Sequence, residues 1–211
     1  MPTVKGDKNV LLLDSGANAD CKAINLLQFA LMGTVYAEAL GIKNPKVALL
    51  SNGTEDEKGN MLNHEVFPTL KELEGINFVG NIEGRDILSG EYDVIVADGF
   101  SGNIALKSME GAIGVLFSEI KGCLKGFVGK LAGLLIRKRL LKVKKKLDYN
   151  NQGGALFLGV EKPVIKAHGA SKAKAFKNAV LQAVDYAEKD MPAKIKEKLS
   201  ALDLNAFKVE R

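Results

Sequence analysis

The chain has 211 residues, enough for one domain with a buried core, and its 46% hydrophobic and 26% charged residues are ordinary for a globular protein. Two cysteines, Cys21 and Cys123, exclude a disulfide scaffold and a cysteine metal cluster and fit a reducing cytoplasm, and the apolar runs are too short to cross a bilayer. The formal charge of +5 is uneven, because residues 121–146 hold ten Lys/Arg and no acid, leaving 20 basic against 25 acidic residues elsewhere.

In chain order, residues 9–13 (NVLLL) predict a buried strand, followed by the turn DSGANAD and a helix over about 22–40. Residues 46–50 (KVALL) predict a second strand, then a polar loop and a helix through Leu73. Residues 76–79 and 92–97 predict a third and a fourth strand, the last leading through DGFSGN to a helix beginning near Ile104. Continuous Val/Ile/Leu strands that alternate with helices imply an α/β fold, a mostly parallel sheet covered by helices on both faces. After the turn-rich LDYNNQGG come two apolar runs (ALFLGV and PVIKA), a helix over about 171–189 and a polar last helix after Pro192. The basic stretch interrupts two well-patterned halves, so residues 1–211 read as one domain with a helical excursion at about 119–147. The N-terminus, with Lys5, Asp7 and Lys8 before a short apolar run, does not resemble a signal peptide.

Ligands of open α/β sheets bind beyond the carboxyl ends of the strands. Four turns fall there: residues 14–18 with Asp14, Gly16 and Asn18; 52–60 with Asn52, Gly53, Lys58, Gly59 and Asn60; 81–86 with Asn81 and Arg85; and 98–103 with Asp98, Gly99, Gly102 and Asn103. Glycine lets backbone N–H groups approach an anion, a helix N-terminus favours negative charge, and Asn donates hydrogen bonds without adding charge. Each turn taken alone is also explained as punctuation or helix capping; their concentration points to an anion site. Lys58 and Arg85 are the cations placed to meet a phosphate, although Arg85 has Glu83 and Asp86 as competing partners. A further cluster, Lys166, His168, Gly169 and Ser171, follows the PVI run, and His168 has the chemistry of a general acid. There is no P-loop, no G-x-S-x-G elbow and no zinc spacing, so neither a metal nor another cofactor is expected.

In the basic stretch, Leu124, Phe127, Val128, Leu131 and Leu135 share one helical face, with Gly122, Gly126, Gly129 and Gly133 opposite and a second apolar stripe beyond Arg137. The pattern predicts two helical pieces, arranged as a protruding basic hairpin. Each glycine costs ~1 kcal/mol against Ala, so the first piece needs an outside contact. An anionic membrane surface, an acidic partner protein and a second copy of the chain are the competing partners. Nucleic acid is not expected, because no aromatic residues interleave the lysines.

The motifs LLLDSGANADCK, NGTEDEKGN, NFVGNIEGRDIL, DGFSGNIALKSMEG, LDYNNQGGALFLGV and PVIKAHGASKAKAFKNA, in this order, resemble the phosphate:acyl-acyl-carrier-protein acyltransferases of bacterial phospholipid synthesis, the PlsX family. Ser15 departs from the apolar residue more usual there. The chain resembles the family's C-terminal two-thirds, and the glycine-rich turn expected ahead of it is not in this sequence. The resemblance implies a fold like the phosphotransacetylases and isocitrate dehydrogenases. It also implies attack of inorganic phosphate on a long-chain acylated acyl carrier protein, giving acyl-phosphate. Lys58, Asn103, Lys166 and His168 would then be catalytic, and the protein a cytoplasmic homodimer held peripherally at the inner face of the cell membrane. A catalytically incomplete module that only dimerises or binds membrane, and a short-chain phosphotransacetylase, are the alternatives.

Overall fold

A computed structural model describes residues 1–201 apart from Asp7, 148–152, His168 and Ala170. Four strands, β1 (Leu11–Leu13), β2 (Lys46–Ser51), β3 (Asn77–Glu83) and β4 (Val94–Val96), form one sheet in the order β1-β4-β2-β3, every pairing parallel. Their side chains alternate between two apolar layers, as a strand period of two requires. Leu11, Leu13, Val47, Leu49, Val94 and Val96 face the larger core, whereas Leu12, Ala48, Ile82 and Ile95 face the smaller one. Strands buried on both sides explain the unbroken apolar runs.

The larger layer is filled by helices α1 (Ala23–Ala39) and α2 (Met61–Glu72). Helix α1 is buried on nearly every side, including Ala23, Leu27, Ala30 and Leu31. The sheet lies on one flank, and Met191 and Ile195 of the last helix, α6 (Met191–Ser200), pack on another. Helix α3 (Gly99–Cys123) crosses the opposite face, where Ala105 and Met109 meet the smaller core. Helices therefore cover both faces, as the strand pattern implied.

Two features, the start of α3 and the break in the basic stretch, differ from the sequence reading, and the pairing of the two late runs adds to it. Helix α3 begins at Gly99, not near Ile104, because Asp98 caps it: its carboxylate accepts the Ser101 N–H at 2.8 Å. The two late apolar runs become β5 (Gly154–Phe157) and β6 (Val164–Ala167), an antiparallel pair separate from the parallel sheet and packed with helix α5 (Ala173–Glu188). The basic stretch breaks at Leu124 and Lys125, and helix α4 (Gly126–Leu147) then runs unbroken through Arg137. That break moves Leu124 off the stripe expected from its spacing. It is half-buried against Gly133 and beside Gly129, whereas Phe127, Val128, Leu131 and Leu135 are exposed.

Removing volume from the α1–sheet contact has a definite cost. Leu27→Ala, at a fully buried position, should lower unfolding free energy by about 2–5 kcal/mol, whereas Met61→Ala, at an exposed one, should change it by less than about 0.5 kcal/mol. Urea midpoints measured on the two variants check the difference.

Candidate functional site at the carboxyl edge of the sheet

All four strands point their carboxyl ends to one edge. Neighbouring strands β1 and β4 send their following helices, α1 and α3, to opposite faces. This makes a topological switch point, the place where a parallel sheet opens a crevice between its turns. The residues 14–18 and 98–103 meet there.

Asp14 organises the crevice. Its carboxylate accepts N–H groups from Gly16 (2.9 Å), Ala17 (2.9 Å) and Asn18 (2.7 Å), and the Asn18 Nδ2 at 2.9 Å. The side chain is 7% exposed. Burial works to raise its pKa, but these four donors outweigh it and hold the carboxyl below the ordinary Asp value. The 98–103 turn closes on this loop through glycines. Gly99 donates its N–H to the Asn18 carbonyl at 2.9 Å. A Cβ on Gly102 would lie 1.8 Å from the Asp14 carbonyl oxygen, and one on Gly99 2.3 Å from that of Asn18, so only glycine fits either position. Asn103, exposed, lies across from Gly16. Cys21 reaches the Asn18 carbonyl at 3.4 Å; burial, with Asp14, Asp98 and Asp20 nearby, raises its pKa and keeps it a thiol.

The 52–60 loop follows β2, the strand beside β4, and so stands next to the switch point. Lys58 is exposed and folds its stem over buried Gly53. Gly59 takes the left-handed backbone (φ +121°) and passes so close to Asn63 that a Cβ would be 2.3 Å from that side chain. Asn60 caps α2 by accepting the Asn63 N–H at 3.0 Å, and Asn52 is exposed at the loop's start.

Asn81 is not a turn residue. It lies inside β3, 5% exposed, and donates its Nδ2 to the Glu55 carbonyl at 2.8 Å and towards that of Lys58 at 3.4 Å. It therefore braces the Lys58 loop from below, while its Oδ1 and the Ser51 Oγ stay buried without a hydrogen-bond partner among the described residues. Arg85 sits in a single 3₁₀ turn (Gly84–Asp86) and pairs with Glu83, its guanidinium well exposed. Lys166 and Gly169 are exposed, on and after β6, which belongs to the two-stranded sheet and not to the parallel one. Ser171 buries its Oγ without a partner among the described residues, and His168 lies outside them. Asn63 went unnoticed in the sequence: it is 6% exposed and ties α2 to β2 through a 2.8 Å bond to the Leu50 carbonyl. Its signal was an Asn three residues after a capping Asn.

An apolar groove of about 250 Å³ runs beside α3 on the smaller-core side. Met109, Ile113 and Phe117 line it with Leu88 and, from the end of α4, Leu147. Among the described residues no group of three His, Cys, Asp or Glu is placed to hold a metal ion, and no helix is long and apolar enough to cross a membrane.

The charge on Asp14 is testable. Because its folded pKa is depressed, the stability it contributes is present above the unfolded value, about 3.9, and is lost as pH falls through the lower folded value. Asp14→Asn should destabilise by about 1–3 kcal/mol at pH 7, with the gap from wild type closing below about pH 4; urea titrations at the two pH values measure it.

A family model described as fatty acid synthesis protein matches residues 1–194. The chain is 50% identical over 193 residues to the phosphate acyltransferase of Bacillus cereus (strain B4264), covering 90% of this chain and 58% of that protein. It is 48% identical over 201 residues to the phosphate acyltransferase of Bacillus licheniformis, covering 94% of this chain and 60% of the relative. A third such relative, from Bacillus thuringiensis (strain Al Hakam), is 50% identical over 193 residues. The chain thus spans roughly three-fifths of the length of the relatives it matches. On the match across residues 1–194 and this identity, the chain belongs to the fatty acid synthesis protein family, PlsX.

Proposed function

We propose that this chain carries the chemistry of a phosphate acyltransferase in phospholipid synthesis, acting on a long-chain acyl carrier protein. The observation that carries the reading is the 50% identity over 193 residues to proteins of that name. The four turns gathered at one sheet edge and the apolar groove beside α3 support it. In the reaction a phosphate oxygen attacks the thioester carbonyl carbon, a tetrahedral oxyanion forms, the C–S bond breaks, and the carrier leaves as a thiolate that takes up a proton. The nucleophile is already ionised at neutral pH, so the protein's task is positioning and charge stabilisation rather than base catalysis.

Lys58 supplies the positive charge in this scheme. Its loop is anchored by Asn81 and Asn60, so the ammonium is carried on a fixed frame. Asn103 orients the carbonyl or the phosphate across from Gly16. Lys166 supplies further charge, and His168 supplies a proton for the leaving thiolate. The free N–H groups at the start of α3 are few, because those of Gly99, Ser101 and Gly102 already bond Asn18 and Asp98. Cationic side chains must therefore outweigh Asp14 and Asp98 for phosphate to bind. Incubation with long-chain acyl carrier protein and inorganic phosphate, with free thiol assayed, tests the proposal. Thiol release should fall by about 10²-fold on Lys58→Ala, the scale of losing one preorganised electrostatic partner. No release, either by this chain or by a form extended to the length of its relatives, would overturn the reading.

The remaining partners are an anionic membrane surface and a second copy of the chain, with the enzyme cytoplasmic and peripheral to the membrane. Phe127, Val128, Leu131 and Leu135 stand exposed on α4 among lysines and arginines, and each basic residue near anionic lipid contributes ~1 kcal/mol. Leu131→Glu with Leu135→Glu should abolish co-sedimentation with vesicles containing anionic lipid; unchanged sedimentation would refute the membrane contact.

A further inference from the structure

Helix α3 keeps an apolar stripe beyond the residues that pack on the smaller core. Ala105 and Met109 meet that core, yet Ile113 and Phe117, one and two turns further on, are half-buried in the wall of the apolar groove of about 250 Å³. The groove gives a ligand little to hydrogen-bond. Glu110 on its wall is already held by Lys107 at 2.8 Å, and Lys144 is exposed, so its stem lines the wall while the ammonium stays in water. Polar groups on an occupant would be buried there without partners, which is costly, so the occupant is a hydrocarbon. The shape narrows this further. Pockets for compact ligands run to about 300–1,000 Å³, whereas this smaller one is drawn out along several turns of α3. It suits a thin, flexible chain, to which the thioether of Met109 can adapt.

The helix also says where such a chain comes from. Asn103, Leu106, Glu110, Ile113 and Phe117 follow one another at spacings of three and four residues, so they lie along one face of α3. Asn103 stands in the crevice across from Gly16, and Leu106, the next member of the row, already lines the groove. From Asn103 to Phe117 is about 21 Å along the axis, the reach of an extended long-chain acyl group. A chain tethered to a carbonyl at Asn103 therefore runs straight into the groove.

We propose that the groove beside α3 is the subsite for the alkyl chain of the acyl group, entered from the crevice at Leu106 and extending to Phe117. The proposal rests on the reading that the crevice takes the thioester carbonyl, and adds where the chain lies and what limits its length. Gly114 gives direct access to it. This residue lines the groove, and a Cβ there would meet nothing within 4 Å. A larger side chain would project into the groove without displacing a neighbour, and leucine favours a helix interior over glycine, so α3 is not weakened.

The fatty acid cis-parinaric acid, which fluoresces once buried in an apolar site, tests the subsite without catalysis. Titrated into the whole chain, it should bind wild type, and Gly114→Leu should raise its dissociation constant at least about ten-fold, as the loss of about two buried methylenes already would. Gly111→Leu, on the same helix but off the groove wall, should bind as wild type does, with the urea midpoints of both variants no lower than that of wild type. In the thiol-release assay Gly114→Leu should lower kcat/KM for long acyl chains relative to short ones. No probe binding by wild type, or equal binding by Gly114→Leu, overturns the subsite even where thiol is released. An unchanged ratio of long to short chains in an active Gly114→Leu overturns it too. Altered self-association of Gly114→Leu with probe binding unaltered makes the groove a seat for a second copy and likewise overturns it. Probe binding lost only in Gly114→Leu, with no thiol released by any form, supports the alkyl-chain site and overturns the acyl-transfer reading alone.

Discussion

The buried carboxylate of Asp14 holds the carboxyl edge of the sheet together. Four donors converge on it, three of them backbone N–H groups that would otherwise lie orphaned in the turn after β1. With the loop held in this shape, the Asn18 carbonyl is aimed at Gly99 and the Asp14 carbonyl is pressed against Gly102. The start of α3 is thereby fixed relative to β1. A side chain at either glycine would push the two turns apart and open the switch point.

This arrangement has an electrostatic consequence. Neighbouring helix starts at a switch point usually offer an anion their free N–H groups and partial positive charge. Here Asp98 and the Asn18 carbonyl take up N–H groups at the start of α3, and Asp14 takes those of the turn after β1, so two carboxylates stand at this edge with their donors already engaged. An anionic substrate then depends on lysine, and the loop after β2 is where one is mounted, with Asn81 and Asn60 fixing its backbone. The side chains that build the frame and the side chain that carries charge are separate residues, so a change to Lys58 can leave the frame intact.

The fold was legible because its strongest signals are local. Strands buried on both faces read as unbroken Val/Ile/Leu, and each parallel crossover needs a helix, so the alternation alone gave the architecture. What the sequence hid were the non-local decisions. The pattern at 81–86 looks like a turn, but Asn81 is held in β3 by the carbonyls of a loop more than twenty residues earlier. The two apolar runs after residue 153 carry no signal of which strand they join; they pair with each other, as an antiparallel pair needs only a short connection. Leu124 has the right spacing for the apolar stripe of α4, but spacing predicts a face only while the helix is continuous, and the helix ends at Cys123. In the candidate site, the glycines and the capping Asp14, Asp98 and Asn60 could be found from composition and position. Asn63 and Asn81 could not, because their role is to satisfy backbone carbonyls brought close by the fold.

Helix α3 joins the two regions to which function has been ascribed. Its first turn contributes Gly99, Gly102 and Asn103 to the crevice, and it continues for 25 residues to the break before α4. At 1.5 Å per residue that separates the crevice from the break by about 37 Å along one rigid element. The apolar groove lies along this helix between the two ends, and α4 returns from the break so that Lys146 donates to the Gly6 carbonyl. A long acyl chain that met the exposed apolar face of α4 and a thioester that met the crevice would thus be presented to one continuous framework. Under the proposed reading, α4 and the groove would carry the apolar chain along α3, and the charge that completes the reaction would belong to the turns.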